Sequence, residues 1–144
     1  LIPEQSLIRF ASNISDPNLI VNEPRAQMPV VYGPEPEHDF CYYFQKADLA
    51  RQFKDWDSVV KYGESALSLN DHPFEPAEQF VFIEGYAHTG QWEQAGIVTR
   101  QALALSFRME RMLCDTWQRI EKNSSPSPER ERARLDLEDI LPCN

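Results

Sequence analysis

Several features that commonly reveal a function are missing from this chain. Glycine is scarce, five in 144 residues against eleven prolines, so stiff connections are expected and no glycine-rich loop is there to cradle a phosphate. Neither a Ser-x-x-Lys nor a Gly-x-Ser-x-Gly nucleophile motif is present. Basic residues are the minority: 14 Lys and Arg against 23 Asp and Glu leave a net charge of -9. That balance argues against a nucleic-acid binder, which needs cations to replace phosphate counterions. Apolar runs are only a few residues long, too short to cross a bilayer as a helix. The three cysteines, Cys41, Cys114 and Cys143, are odd in number and lack C-x-x-C spacing, which predicts no disulfide framework. Cys41 and Cys114 sit among aromatic and aliphatic residues and are expected to pack as small hydrophobes. Cys143 is expected to be exposed, and the redox state of all three is left open.

The remaining composition is that of a folded chain. A hydrophobic content of 42%, with 11% aromatic, excludes intrinsic disorder, and the length suits one domain with tails. The chain opens on Leu1-Ile2-Pro3 without a Met and without a basic-then-apolar leader. The expectation is a processed product or a part of something longer. Residues 1–39 are rich in Pro, which bars helix interiors and extends the residue before it. They are read as an extended segment packing on the core, with Ser6–Ile14 a short helix or strand. Leu19-Ile20-Val21 and Val30-Val31-Tyr32 are its candidate anchors.

From Phe40 the pattern becomes helical. Tyr43, Ala47, Ala50 and Phe53 or Lys54 line one face. Trp56, Val59, Val60, Gly63, Ala66, Leu67 and Leu69 line the next, then Phe80, Ile83, Tyr86 and Ala87, then Trp92, Ala95, Val98, Ala102, Leu103 and Leu105. Asp55-Trp56-Asp57 matches Gln91-Trp92-Glu93, and Ala66-Leu67-Ser68-Leu69 matches Ala102-Leu103-Ala104-Leu105, both 36 residues apart. A helix-turn-helix unit recurring at ~34 residues is the signature of a tetratricopeptide array. Tyr43, Ala47 and Ala66, then Tyr86, Gly90, Ala95 and Ala102, resemble that family's pattern. Lys46, Lys54 and Gly63 depart from it, standing where Leu, Gly and an aromatic are usual. The predicted fold is therefore all-α: two tetratricopeptide-like repeats plus a capping helix over residues 40–122, and a linker and C-terminal helix over 123–144.

The cap is expected to carry Met109, Met112, Leu113, Thr116, Trp117 and Ile120 on its apolar face. Ser127-Pro128-Glu129 reads as a helix start, with a hydroxyl N-cap, Pro in the first turn and an acid favoured by the dipole. The final helix, about 128–140, has few apolar residues (Leu135, Leu137, Ile140, Leu141). It is expected to dock weakly or to bind something else.

The tetratricopeptide resemblance implies that the first helix of each unit lines a concave surface. The resulting candidate groove is Cys41, Phe44, Asp48, Arg51 and Gln52 in unit one, and Ala77, Phe80, Glu84, Ala87 and His88 in unit two. Helical spacing alone puts Phe44, Asp48, Arg51 and Gln52 on one stripe, and Phe80, Glu84 and His88 on another. Aromatic area with charges that fix register suits a peptide or protein ligand. The bland alternative is that Asp48 and Arg51 merely pair along their helix. An enzymatic alternative takes Asp48 and Glu84 as an acid/base pair acting on a sugar or polymer, their helices roughly 8–10 Å apart. No nucleophile accompanies them, and no catalytic residue is assigned.

Glu35, Glu37, His38, Asp39 and Cys41, and the pair Glu84 and His88, have metal-ligand residue types. The helix dipole accounts for the acidic cluster more simply, so no metal and no cofactor is expected. A purely structural or dimerising domain is the third possibility.

The stretch Glu35-Pro36-Glu37-His38-Asp39-Phe40-Cys41-Tyr42-Tyr43-Phe44-Gln45-Lys46-Ala47-Asp48-Leu49-Ala50-Arg51-Gln52, with Phe82-Ile83-Glu84-Gly85-Tyr86-Ala87 downstream, supports a wider resemblance. It is similar to the soluble carboxy-terminal region of bacterial multi-span membrane proteins related to dolichyl-phosphate-mannose-type glycosyltransferases. That resemblance implies a soluble tail on the extracytoplasmic face of a membrane-embedded parent. Sugar transfer would belong to the missing part, and this piece would be a non-catalytic interaction domain.

Overall fold

The structure, a computed structural model, describes residues 37–69, 71, 73 and 75–143. The expectations for residues 1–36 lie outside the described residues. Among the described residues every regular element is helical. In order they are α1 (Phe40–Gln52), α2 (Trp56–Ser68), a 3-10 turn (Pro76–Gln79), α3 (Phe80–His88), α4 (Trp92–Leu105), a second 3-10 turn (Phe107–Met109), α5 (Glu110–Asn123) and α6 (Pro128–Glu138). No helix of the described residues is long and apolar enough to cross a membrane.

Consecutive helices fold back on each other: α1 packs on α2, α3 on α4, and α2 on α3. The α1–α2 and α3–α4 connections are built alike. At the end of α1 the Asp55 amide donates to the Ala50 carbonyl (3.0 Å), and at the end of α3 the Gln91 amide donates to that of Tyr86 (2.8 Å). In each turn one residue takes the left-handed conformation these C-terminal caps require, Lys54 at φ 57° and Gly90 at φ 79°. Glycine adopts that conformation without penalty, whereas a Cβ there costs about 1–2 kcal/mol. Lys54→Gly is therefore expected to stabilise the protein by about 0.5–1 kcal/mol, once the extra freedom of an unfolded glycine is subtracted. Urea unfolding followed by tryptophan fluorescence measures it, and an unchanged midpoint would mean that the turn carries no strain.

The starts of the helices follow from their caps. The Asp39 carboxylate accepts from the Tyr42 amide (2.8 Å) and opens α1; Asp55 does the same for Ser58 (3.2 Å) at α2. Hydrogen bonding by the Ser58 hydroxyl, and then by its amide, holds the Asp55 carboxyl below its usual pKa. Ser127 caps α6 as its sequence predicts, its hydroxyl accepting from the Arg130 amide at 3.1 Å.

Burial falls on Phe40, Ala47 and Ala50 of α1, on Val59, Val60 and Ala66 of α2, and on Trp92, Ala95, Val98 and Ala102 of α4. On α5 it falls on Leu113, Trp117 and Ile120. Helix α3 is buried all round, from Val81 through Ala87. Phe53, Leu105 and Met112, read from periodicity as core, are instead exposed. Phe53 and Leu105 sit at or beyond the last turn of their helices, where the stripe has run past the neighbour it faces.

Gly63 departs from the expected aromatic because the space is already filled. A Cβ there would stand 2.9 Å from Phe82 Cδ1 and 3.4 Å from the Tyr86 hydroxyl. Burial of Tyr86, with the Glu64 charge nearby, pushes its phenol up to about 12.

The C-terminal part places the last helix and corrects the reading of the cysteines. Helix α6 packs on α4, with Ala133, Leu137 and the following Leu141 buried, while Leu135 and Ile140 face solvent. Cys114 and Cys143 form a disulfide, Cα to Cα 5.3 Å. Sequence reasoning missed it because the two lie 29 residues apart and the odd total favoured unpaired thiols. Cys41 is an exposed thiol and not a packed one; its sulfur accepts from Gln45 Nε2 at 3.4 Å.

Candidate functional site

Helices α1, α3 and α5 lie side by side, α1 against α3 and α3 against α5. Side chains from all three meet at Glu84. This glutamate is only 6% exposed, held on the helix that has no solvent face. A buried carboxylate needs charged or polar partners to replace its water, and here guanidinium groups arrive from both neighbours. Arg119 of α5 donates through Nε (2.9 Å) and Nη2 (2.6 Å) to Glu84 Oε1. Arg51 of α1 donates through Nη1 to Oε2 at 3.5 Å. Arg51 also grips Asp48 through Nε (3.0 Å) and Nη2 (2.7 Å), and Gln52 Nε2 reaches the other Asp48 oxygen at 3.4 Å. Arg119 Nη2 adds a bond to the Thr116 hydroxyl at 3.3 Å.

The result is a chain of alternating charge, Asp48–Arg51–Glu84–Arg119, running across three helices. Burial works to lower the Arg51 pKa, but the bond and charge of Asp48, with Glu84 behind it, outweigh that and leave it above its usual value. Two carboxylates against two guanidiniums leave a patch that is polar, rich in donors and close to neutral.

Of the residues singled out by sequence, the structure thus joins Asp48, Arg51, Gln52 and Glu84 in one network. Phe44 and Phe80 are half-buried and pack against the core. His88 belongs to a different contact: its ring stacks on Trp56 of α2, centroids 4.1 Å apart and planes within 16°. Burial lowers its pKa; Glu84 pulls it up, Lys54 pushes it down, and the net shift is downward. The apolar stripe by which the sequence marks α5 includes Thr116 but passes over Arg119. An arginine 35 residues after a groove glutamate, close to the 36-residue spacing, was the available signal.

The proposed acid/base carboxylates do come together, but around a guanidinium. Arg51 lies between them and occupies an oxygen of each, so neither faces an open cavity through that oxygen. Surface clefts elsewhere on the molecule have other linings. One of about 870 Å3 lies between the start of α4 and α6, beside Trp92, Arg100 and Arg132. Another of about 320 Å3 lies between α5 and α6, beside Trp117 and Leu137. Among the described residues no group of three or more His, Cys, Asp or Glu is placed to hold a metal ion. Two residues considered for that role have other contacts: Asp39 caps α1, and His38 stacks on Tyr42 with centroids 3.6 Å apart. Comparison with protein-family models, with curated proteins and with solved structures finds no match to this chain.

Proposed function

We propose that this chain is a non-catalytic, tetratricopeptide-like helical-repeat module that holds a peptide or protein on the face formed by α1, α3 and α5. The observation that carries the reading is the side-by-side packing of those three helices. A regular spacing supports it: α2, α4 and α6 begin at Trp56, Trp92 and Pro128, 36 residues apart each time. In this reading α5 and α6 make a third, divergent unit instead of a cap and a loose helix. The near-neutral network at the centre of the face offers guanidinium and amide donors, while Phe44 and Phe80 contribute apolar area, a mixture suited to an extended peptide.

The module is read as the soluble C-terminal domain of a bacterial membrane protein of glycosyltransferase type, on the extracytoplasmic side. The Cys114–Cys143 disulfide supports that placement, because such bonds persist in oxidising compartments. Its test is the coding sequence ahead of Leu1: a series of apolar spans is expected, and a water-soluble enzyme domain there would remove it.

Binding is tested by selecting peptides from a displayed random library on the full chain and measuring their affinity by calorimetry. Phe44→Ala and Gln52→Ala are each expected to weaken binding about tenfold, the size of a typical interface contact, with the helical circular dichroism unchanged. Selected peptides that bind both variants as well as the parent would overturn the assignment. Glu84 is left untouched in this test, since its removal perturbs the fold itself.

A further inference from the structure

Helix α6 is an unusual partner for a helical core. Seven of its eleven residues are charged, and its buried apolar side chains are Ala133, Leu137 and, just beyond its end, Leu141. Its polar ties are few and peripheral. Arg100 Nη1 donates to the Asp136 carbonyl at 3.4 Å, and Arg130 Nη1 donates to the carbonyls of Ser124 (2.9 Å) and Glu121 (3.3 Å) at the end of α5. Arg134 pairs with Glu131 within α6, and its link to α5 is the longer-range attraction of the Glu121 charge. A helix so polar has little apolar area to offset the entropy of ordering it. The covalent bond supplies what packing lacks, tying the residue two past Leu141 to the middle of α5.

We infer that the Cys114–Cys143 disulfide is a redox-sensitive latch that keeps α6 docked on α4 and α5, and that reduction releases α6 while the preceding helices stay folded. The geometry makes the bond reachable. Cys143 is exposed and Cys114 partly so, and both line the 320 Å3 cleft between α5 and α6 together with Trp117, Leu137 and Pro142. A dithiol reductant attacks the exposed Cys143 sulfur as its thiolate, the S–S bond breaks, and Cys114 leaves as a thiolate that takes up a proton. The second thiol of the reductant then displaces Cys143 from the mixed disulfide. The protein gains two electrons and two protons, and the reductant ends as its own cyclic disulfide.

Release uncovers one flank of Trp117. That ring is otherwise well held: its indole N–H donates to the Thr99 hydroxyl at 3.0 Å, and it sits 6.5 Å from the Trp92 ring. The rest of α5 keeps its anchors, with Leu113 and Ile120 buried and Arg119 bound to Glu84. The latch therefore acts on α6 and spares the α1–α3–α5 face, so this inference stands or falls separately from the proposed function.

The test is hydrogen exchange read by mass spectrometry on the full chain, oxidised and in dithiothreitol, in a Cys41→Ser background that prevents reshuffling. Amides of α6 are expected to exchange roughly a hundredfold faster after reduction, the scale set by a cross-link of this span. Amides of α1 to α4 are expected to keep their rates. Cys143→Ser without reductant should reproduce the reduced pattern, and trypsin should then cut after Arg130, Arg132 and Arg134 while sparing the core. Unchanged α6 rates in the reduced protein or in Cys143→Ser overturn the latch. Acceleration of all helices together overturns it too, because the bond would then be a staple for the whole fold.

Discussion

Glu84→Ala is expected to lower stability by about 2–4 kcal/mol, with unfolding in urea as the measurement. Two costs combine. The carboxylate is buried and accepts three guanidinium bonds, each charge-assisted bond worth about 1.5–3 kcal/mol in favourable cases. The truncation also leaves a void at the centre of α3. The loss stays below that of a fully buried pair because Arg51 and Arg119 have 38% and 52% of their side-chain surface in solvent and regain water when the glutamate goes. Glu84→Gln keeps the volume and one acceptor and is expected to cost about half as much. Replacing Arg51, Glu84 and Arg119 together by Met, Leu and Met should come within about 1 kcal/mol of the parent, as apolar groups of similar size commonly do for such triads. Equal stability of the parent and Glu84→Ala would show that the three helices do not depend on this contact.

Phe82→Ala is expected to cost about 3–5 kcal/mol, the range for deleting a fully buried aromatic ring. Phe82 has no exposed surface and meets Phe40 edge to face at 5.9 Å. Its sharper consequence lies at Gly63. In the parent, Gly63→Ala is destabilising because the new methyl meets the Phe82 ring 2.9 Å away. With Phe82→Ala already present, the same Gly63→Ala change should stabilise by about 1 kcal/mol: the obstruction is gone, and alanine is the better helix residue. A change of sign across this double-mutant cycle is the expected result. Additive effects would mean that α2 and α3 do not interlock at this point.

The helical framework was largely legible in the sequence, and the reasons are local. Periodic apolar positions marked α1, α2, α4 and α5 because each shows one buried stripe, and Ser127-Pro128-Glu129 marked the start of α6 because capping depends on neighbours in the chain. Burial at helix ends was harder to read. Phe53 and Leu105 continue the stripe in sequence, yet they are left 49% and 50% exposed. What escaped altogether was long-range. Cys114 reaches a partner 29 positions away, and Glu84 looked like a surface charge because its neutralising arginines come from helices 33 and 35 residues distant. The same glutamate shows why candidate-site residues are hard to rank from spacing. Asp48 and Glu84 occupy matching positions, but one is partly exposed and the other sealed, since among the described residues α3 has helices on both sides where α1 has α3 on one.

A helix of nine residues with no outward face cannot exist by itself in water. It becomes stable only when both flanking layers close over it, so α3 couples the two halves of the described chain into one cooperative block. Fraying should accordingly begin at α6 and travel inward, and pulling on the two ends would meet its greatest resistance in the middle of the molecule.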